Sequence, residues 1–175
     1  MLAANHLSAA DSWVIGHVFL PRRVFFPAKE ELFRNPLLGF LLHSWNAFPV
    51  PRGYADRELL QHIAAQTRKH LVLIHPEGTR QRTGKLGRGK RGVGKIIYLS
   101  RPVVLPIFID GTQRVLPVGA MIPRFFKRLY VHIGKPVPLE DLYALPDTKD
   151  TARRIVERIM QHIADSRRIY LKTPR

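Results

Sequence analysis

Apolar residues along the chain follow two periods. Short unbroken apolar runs read as buried strands, and stretches with an apolar residue every three or four positions read as helices with one buried face. The strand candidates are Leu2–Ala4, Val24–Phe26, Leu71–Ile74 (ending at Pro76), Val103–Ile109 and Leu129–Ile133. Among the helices, one starts at Asn35-Pro36 and runs to about His43, because asparagine caps and proline suits the first turn. Asp56–Lys69 is helical with Leu59, Leu60, Ile63 and Ala64 inside, and Val93–Leu99 is a shorter helix. From Thr148 a long helix puts Ile155, Val156, Ile159, Met160 and Ile163 on one face. Ser8, with Asp11 three residues on, has the spacing of a capping box. This alternation predicts an α/β layered sandwich with a central, largely parallel sheet flanked by helices.

Composition narrows the chemistry. No repeat or linker divides the 175 residues, so one domain over residues 1–175 is expected. With no cysteine, disulfides, thiolate metal sites and cysteine nucleophiles are excluded. Lys and Arg outnumber Asp and Glu by 29 to 13, a net charge of +16. Such a surplus calls for an anionic partner: nucleic acid, anionic lipid, a phosphorylated substrate or an acidic carrier protein. No apolar run approaches a membrane span, and no basic-then-apolar leader is visible, so a soluble or peripheral protein is expected.

Three segments carry candidate chemistry. Asn5–Asp11 lies between a strand end and a helix start, where open α/β sheets gather ligands. There His6 is a candidate general base and Asp11 the carboxylate that fixes its tautomer. On a continuous helix the two would diverge by about 140°, so a turn must precede the helix. The alternative is that Ser8 and Asp11 only cap it. His75–Arg80 follows a buried strand: Gly78 permits close backbone approach, Thr79 offers a hydroxyl and Arg80 a planar fork for phosphate. Glu77 suits a phosphate neighbour only if it accepts a hydroxyl or orients Arg80. An ordinary Pro/Gly turn is the alternative here. The third segment, Gly84–Lys95, alternates glycine with Lys or Arg. It fits G-x-x-x-x-G-K twice, but Arg91 and Ile96 stand where a P-loop needs Ser or Thr. Its G-x-G-x-x-G stretch lacks a preceding strand. A flexible cationic loop is the remaining reading. The histidines show no metal-binding spacing, and no G-x-S-x-G elbow occurs.

Asn5, His6, Ser8 and Asp11 match N-H-x-S-x-x-D, and Pro76–Arg80 reads P-E-G-T-R. Ala28–Leu32 is similar to A-K-x-E-L, Ala47–Arg52 to a short strand ending in arginine, and Val103–Phe108 to apolar residues around a proline. In this order the segments resemble the lysophosphatidic acid acyltransferases (1-acyl-glycerol-3-phosphate acyltransferases) of the glycerolipid acyltransferase superfamily. The resemblance implies that His6 deprotonates the acceptor hydroxyl and that Asp11 orients His6. It implies that Arg80, with Lys29 and Arg52, holds the phosphate, that Glu77, Gly78 and Thr79 shape the glycerol end, and that Pro106 lies behind the site or along an acyl groove. Acyl-CoA or acyl carrier protein would be the co-substrate, with no metal or bound cofactor. The family's members usually carry membrane-seating helices before the first motif, and this chain starts almost on it. A single acyltransferase domain without those helices is therefore expected, peripheral on the cytoplasmic face of a membrane or soluble. The apolar stretch Pro36–Phe48 is expected mostly to pack on the sheet, with some residues dipping into a lipid interface. Two alternatives stay open: another acceptor (glycerol-3-phosphate, another lysophospholipid or an acylated amino acid), and a basic nucleic-acid-binding module.

Overall fold

The computed structural model describes residues 1–50, 57–120 and 122–172. In chain order the elements are β1 (Leu2–Ala4), α1 (Asp11–Val18), β2 (Val24–Lys29), α2 (Pro36–Ser44), β3 (Ala47–Val50), α3 (Arg57–Lys69), β4 (Leu71–Ile74), α4 (Arg91–Ser100), β5 (Leu105–Asp110), α5 (Thr112–Val115), β6 (Tyr130–Ile133), α6 (Glu140–Tyr143) and α7 (Lys149–Lys172). The strands form one sheet in the order β3-β2-β4-β1-β5-β6. Every pairing is parallel except that of β5 with β6.

Strand alternation divides the core into two layers. Leu2, Ala4, Leu73, Ile107 and Ile109 point to one face and meet Ile15 of α1 and Leu42 of α2. Ala3, Ile74 and Phe108 point to the other, under α3, α4 and α7. The inward face of α7 is the one its periodicity predicts, with Ile155, Val156, Ile159 and Ile163 buried. Burying each such side chain contributes roughly 1.5–3 kcal/mol. Its first turn is held by Thr148, whose hydroxyl accepts from Thr151 N–H at 3.1 Å. Gly94 of α4 lies so close to the Ala152 carbonyl of α7 that a Cβ would not fit.

The order of strands creates the site's location. The chain leaves β1 into α1 on one layer, whereas it leaves neighbouring β4 into α4 on the other. Between the carboxyl ends of β1 and β4 the sheet therefore has a crevice, the switch point where α/β folds bind ligands.

Four expectations need correction. Asp11 opens α1 rather than sitting inside a Ser8-capped helix, because its carboxylate turns back to the loop. The most apolar strand starts at Leu105, and Val103 is left 70% exposed. Gly84–Lys95 is not one flexible loop: Arg91–Lys95 is the first half of α4, and Lys90 N–H is bound to the Pro76 carbonyl at 2.7 Å. Nor does the Pro36–Phe48 stretch mostly pack on the sheet. Asn35 caps α2 through Leu38 N–H at 3.0 Å, but the helix buries only Gly39 and Leu42. A nine-residue helix near the sheet edge touches the core along a single line, so Leu37 and Phe40 stay 80% and 74% exposed. Among the described residues, no helix is long and apolar enough to cross a membrane.

Candidate active site

The loops after β1, β4 and β5 meet in the crevice. Asn5 continues the ladder beyond β1 with its side chain, donating to Ile109 C=O at 2.9 Å and accepting from Ile109 N–H at 2.8 Å. The next residue, His6, is thereby fixed at the strand's end. Its Nδ1 lies 2.8 Å from Asp11 Oδ2. The same oxygen accepts the N–H groups of Leu7 (2.6 Å) and Ser8 (2.9 Å), and Oδ1 accepts the Thr112 hydroxyl. Burial alone would push the Asp11 carboxyl up; the bond from His6, the attraction of His75 once it is protonated in acid, Ser8 N–H and Thr112 outweigh it and hold the pKa below the usual value. A carboxylate facing Nδ1 dictates that this nitrogen carries the proton. Nε2 is then the free lone pair, on a side chain 20% exposed. The turn required before the helix is present, and it brings the His6 imidazole and the Asp11 carboxylate into hydrogen-bond contact.

His75 supplies the floor. Its ring stacks on His6 at 4.0 Å between centroids and 10° between planes. Nδ1 donates toward the carbonyls of Asn5 (3.0 Å) and Ala4 (3.1 Å), and Nε2 accepts from Ser12 Oγ at 3.3 Å. Burial and the neighbouring His6 charge lower its pKa to about 4, so it is neutral at ordinary pH. His6, Asp11 and His75 place ligand-type atoms within 4.8 Å of one another. Parallel rings 4 Å apart cannot both point their in-plane lone pairs at one ion, so the cluster's geometry suits proton transfer better than metal binding.

Glu77 departs from its expected role. It is 1% exposed, with Oε2 accepting His6 N–H at 2.9 Å and Oε1 accepting Gly87 N–H at 2.7 Å. Burial raises its pKa against those two bonds. Both oxygens are committed to backbone, so the carboxylate holds His6 in place and neither faces a glycerol nor orients Arg80. Gly78 adopts φ +65°, the left-handed region that favours glycine, and so turns Thr79 and Arg80 outward to solvent. Lys29 is exposed at the carboxyl end of β2, the same sheet edge. Arg52 lies outside the described residues. Pro106 is buried in β5 opposite Ala3, behind the crevice.

Sequence reasoning passed over Thr112, Ser12 and the stacking role of His75. Thr112 had a signal, a hydroxyl just past the end of an apolar strand. Ser8 does not cap α1; its hydroxyl donates to Leu116 C=O at 2.7 Å, tying the site loop to the chain after β5.

The sequence model of the Acyltransferase family matches residues 1–110, which include the loops after β1 and β4 and end with β5. The chain belongs to the acyltransferase family. This membership favours an enzyme over a nucleic-acid module. Among relatives, the chain is 29% identical over 143 residues to a chloroplastic 1-acyl-sn-glycerol-3-phosphate acyltransferase of Arabidopsis thaliana, 77% of this chain but 38% of that one. It is 27% identical over 168 residues to the 1-acyl-sn-glycerol-3-phosphate acyltransferase of Bacillus subtilis, 94% of this chain and 79% of that one. The chain thus spans less than two-fifths of the plant relative's length. The crystal structure of a 1-acyl-sn-glycerophosphate acyltransferase from Thermotoga maritima superposes with TM-score 0.68 at 23% identity, covering 99% of this chain and 67% of the other. That likeness shows the acyltransferase fold.

Proposed function

We propose that this acyltransferase-family chain moves a fatty acyl group from a thioester, acyl-CoA or acyl carrier protein, to the free hydroxyl of 1-acyl-glycerol-3-phosphate, giving phosphatidic acid. The observation that carries the reading is the His6–Asp11 contact at 2.8 Å, which leaves Nε2 free at the mouth of the crevice. Nε2 takes the hydroxyl proton as the acceptor oxygen attacks the thioester carbonyl. The new C–O bond forms, the C–S bond breaks, and the departing thiolate takes the proton from the His6 imidazolium. Asp11 stabilises that cation throughout. No acyl-enzyme is needed, in keeping with a chain that has no cysteine. We assign the acceptor's phosphate to Arg80 and Lys29, both exposed, the first in the loop after β4 and the second at the carboxyl end of β2.

The acceptor is a lipid, and the surface beside the crevice suits one. Exposed Trp45, just past the end of α2, lies 6.1 Å ring to ring from exposed Trp13 of α1, and Leu37 and Phe40 of α2 are exposed as well. A groove of about 530 Å³ between α1 and Leu129–Val131 continues the surface toward exposed Phe125 and Phe126, with Arg124, Lys127 and Arg128 among them. Apolar residues interspersed with cations favour peripheral contact with anionic lipid.

Transfer of labelled acyl groups from either donor to a panel of lysolipids tests the reaction. Lysophosphatidate is the expected acceptor. Arg80→Ala should raise its KM more than Arg80→Lys, which keeps the charge but loses the fork. Equal impairment toward acceptors without phosphate would sink the Arg80 assignment.

A further inference from the structure

On the layer opposite α1 and α2, a groove of about 780 Å³ runs between the chain leading into α4 and one side of α7. Its apolar floor is Leu86, Val156, Met160 and Ala164, and its rim carries Arg88 and Arg91. Arg153 and Glu157 also line it, but they pair with each other at 3.0 Å, and Arg153 pairs with Asp150 at 2.5 Å. Arg88 and Arg91 are exposed and have no carboxylate partner among the described residues. They belong to a stretch in which no Asp or Glu occurs between Glu77 and Asp110. The groove's inner end is next to the reaction centre. Gly87 lines it and gives its N–H to Glu77, whose other oxygen holds His6 N–H.

We infer that this groove receives the phosphopantetheine arm of the acyl donor, with Arg88 and Arg91 on its phosphate. The inference rests on the acyl-transfer reading and adds where the donor lies. From Arg153 to Ala164, α7 presents about 16 Å of helix at 1.5 Å per residue, the span of an extended chain ending in one phosphate. A mostly apolar trough with a cationic rim matches such an arm, and the lipid-suited apolar surface lies over the other layer. The water-soluble donor thus reaches His6 from α4 and α7, and the acceptor from α1 and α2. Coenzyme A and acyl carrier protein share this arm and differ only beyond the phosphate.

The test compares the unsubstituted protein with Arg88→Ala/Arg91→Ala and with Ala164→Phe. Acyl transfer to lysophosphatidate is measured while acyl-CoA, acyl carrier protein or S-acyl-pantetheine, which lacks phosphate, is varied. Calorimetric titration with coenzyme A gives a readout independent of turnover. The arginine pair, being exposed and unpaired, is expected to leave the thermal midpoint unchanged. It should raise KM for acyl-CoA and acyl carrier protein roughly ten- to hundred-fold, the size of a lost charge-assisted bond. KM for S-acyl-pantetheine and for lysophosphatidate should not move, and coenzyme A affinity should fall in parallel. Ala164→Phe, which fills the trough, should raise KM for all three donors. A loss confined to acyl-CoA, or confined to the carrier protein, overturns placement of the shared phosphate on these arginines. Unchanged donor KM in the arginine variant overturns the groove itself while leaving the reaction standing. Absence of any acyl transfer by the unsubstituted protein, with coenzyme A binding still lost on removing the arginines, overturns the reaction and leaves the groove.

Discussion

Asp11 accepts four donors on two oxygens, so it shapes the loop and, in the proposed reaction, also orients the base. Those roles separate on mutation. His6→Ala should lower kcat by roughly 10²–10⁴, the usual span for general-base catalysis. Asp11→Asn should lower it as well, since an amide cannot stabilise imidazolium, and the double variant should be little worse than His6→Ala alone. Independent losses that multiply, or an effect of Asp11→Asn on the thermal midpoint only, would show that the two do not act as a unit. His75 gives a pH signature. Its pKa is about 4 in the folded state against 6.5 for the free side chain, so between those values the unfolded chain binds the extra proton. Stability from neutral His75 is therefore present above 6.5 and lost as pH falls toward 4. Thermal midpoints measured across this range should drop more steeply for the unsubstituted protein than for His75→Phe, which keeps an aromatic floor but cannot titrate. Asp11, whose pKa is lowered from 3.8, acts below that window.

At the scale of elements, the site depends on how tightly the two layers clasp the loops. Glu77 is the pin between the loop after β4 and the one after β1. In Glu77→Gln one amide N–H must face a backbone N–H, leaving a buried donor unpaired at about 1–3 kcal/mol. Both the thermal midpoint and kcat should fall, with acceptor KM little changed. A variant that raises acceptor KM alone would return Glu77 to the substrate. Gly94 sets the distance of α4 from α7. Gly94→Ala drives a methyl into the Ala152 carbonyl, and overpacking of this kind costs about 1–3 kcal/mol, readable as a lower urea midpoint. An unchanged midpoint would mean that α7 shifts freely on α4.

Across the whole molecule, the two surfaces proposed to meet ligands lie over opposite layers. The apolar surface of α1, α2 and the segment around Phe125 lies over one layer, and the Arg88–Arg91 rim over the other. Sedimentation with anionic vesicles should weaken in Leu37→Ser/Phe40→Ser, which removes two exposed apolar side chains remote from the core. High salt should weaken it further, since each basic residue near the surface contributes about 1 kcal/mol. Binding to neutral vesicles that ignores salt would instead assign all attachment to apolar insertion.

Periodicity alone placed most elements, because a helix with one buried face writes a repeat that neighbours cannot hide; α3 and α7 are the clearest cases. It also placed His6 and Asp11 between a strand end and a helix start, and implied the turn that joins them. Other features depended on strand order, which no local pattern encodes. Only with β4 beside β1 do their chains leave to opposite layers and open the crevice. Only then does His75 reach His6 across 69 positions of chain, and Thr112 reach Asp11 across 101. The acid of P-E-G-T-R looked like a substrate contact because a carboxylate in a loop is usually solvated. Burial between two backbone N–H groups made Glu77 a pin instead. Exposure of α2 was decided in the same way: its leucines signal burial by composition, but a short helix near the sheet edge has only one line of core to meet.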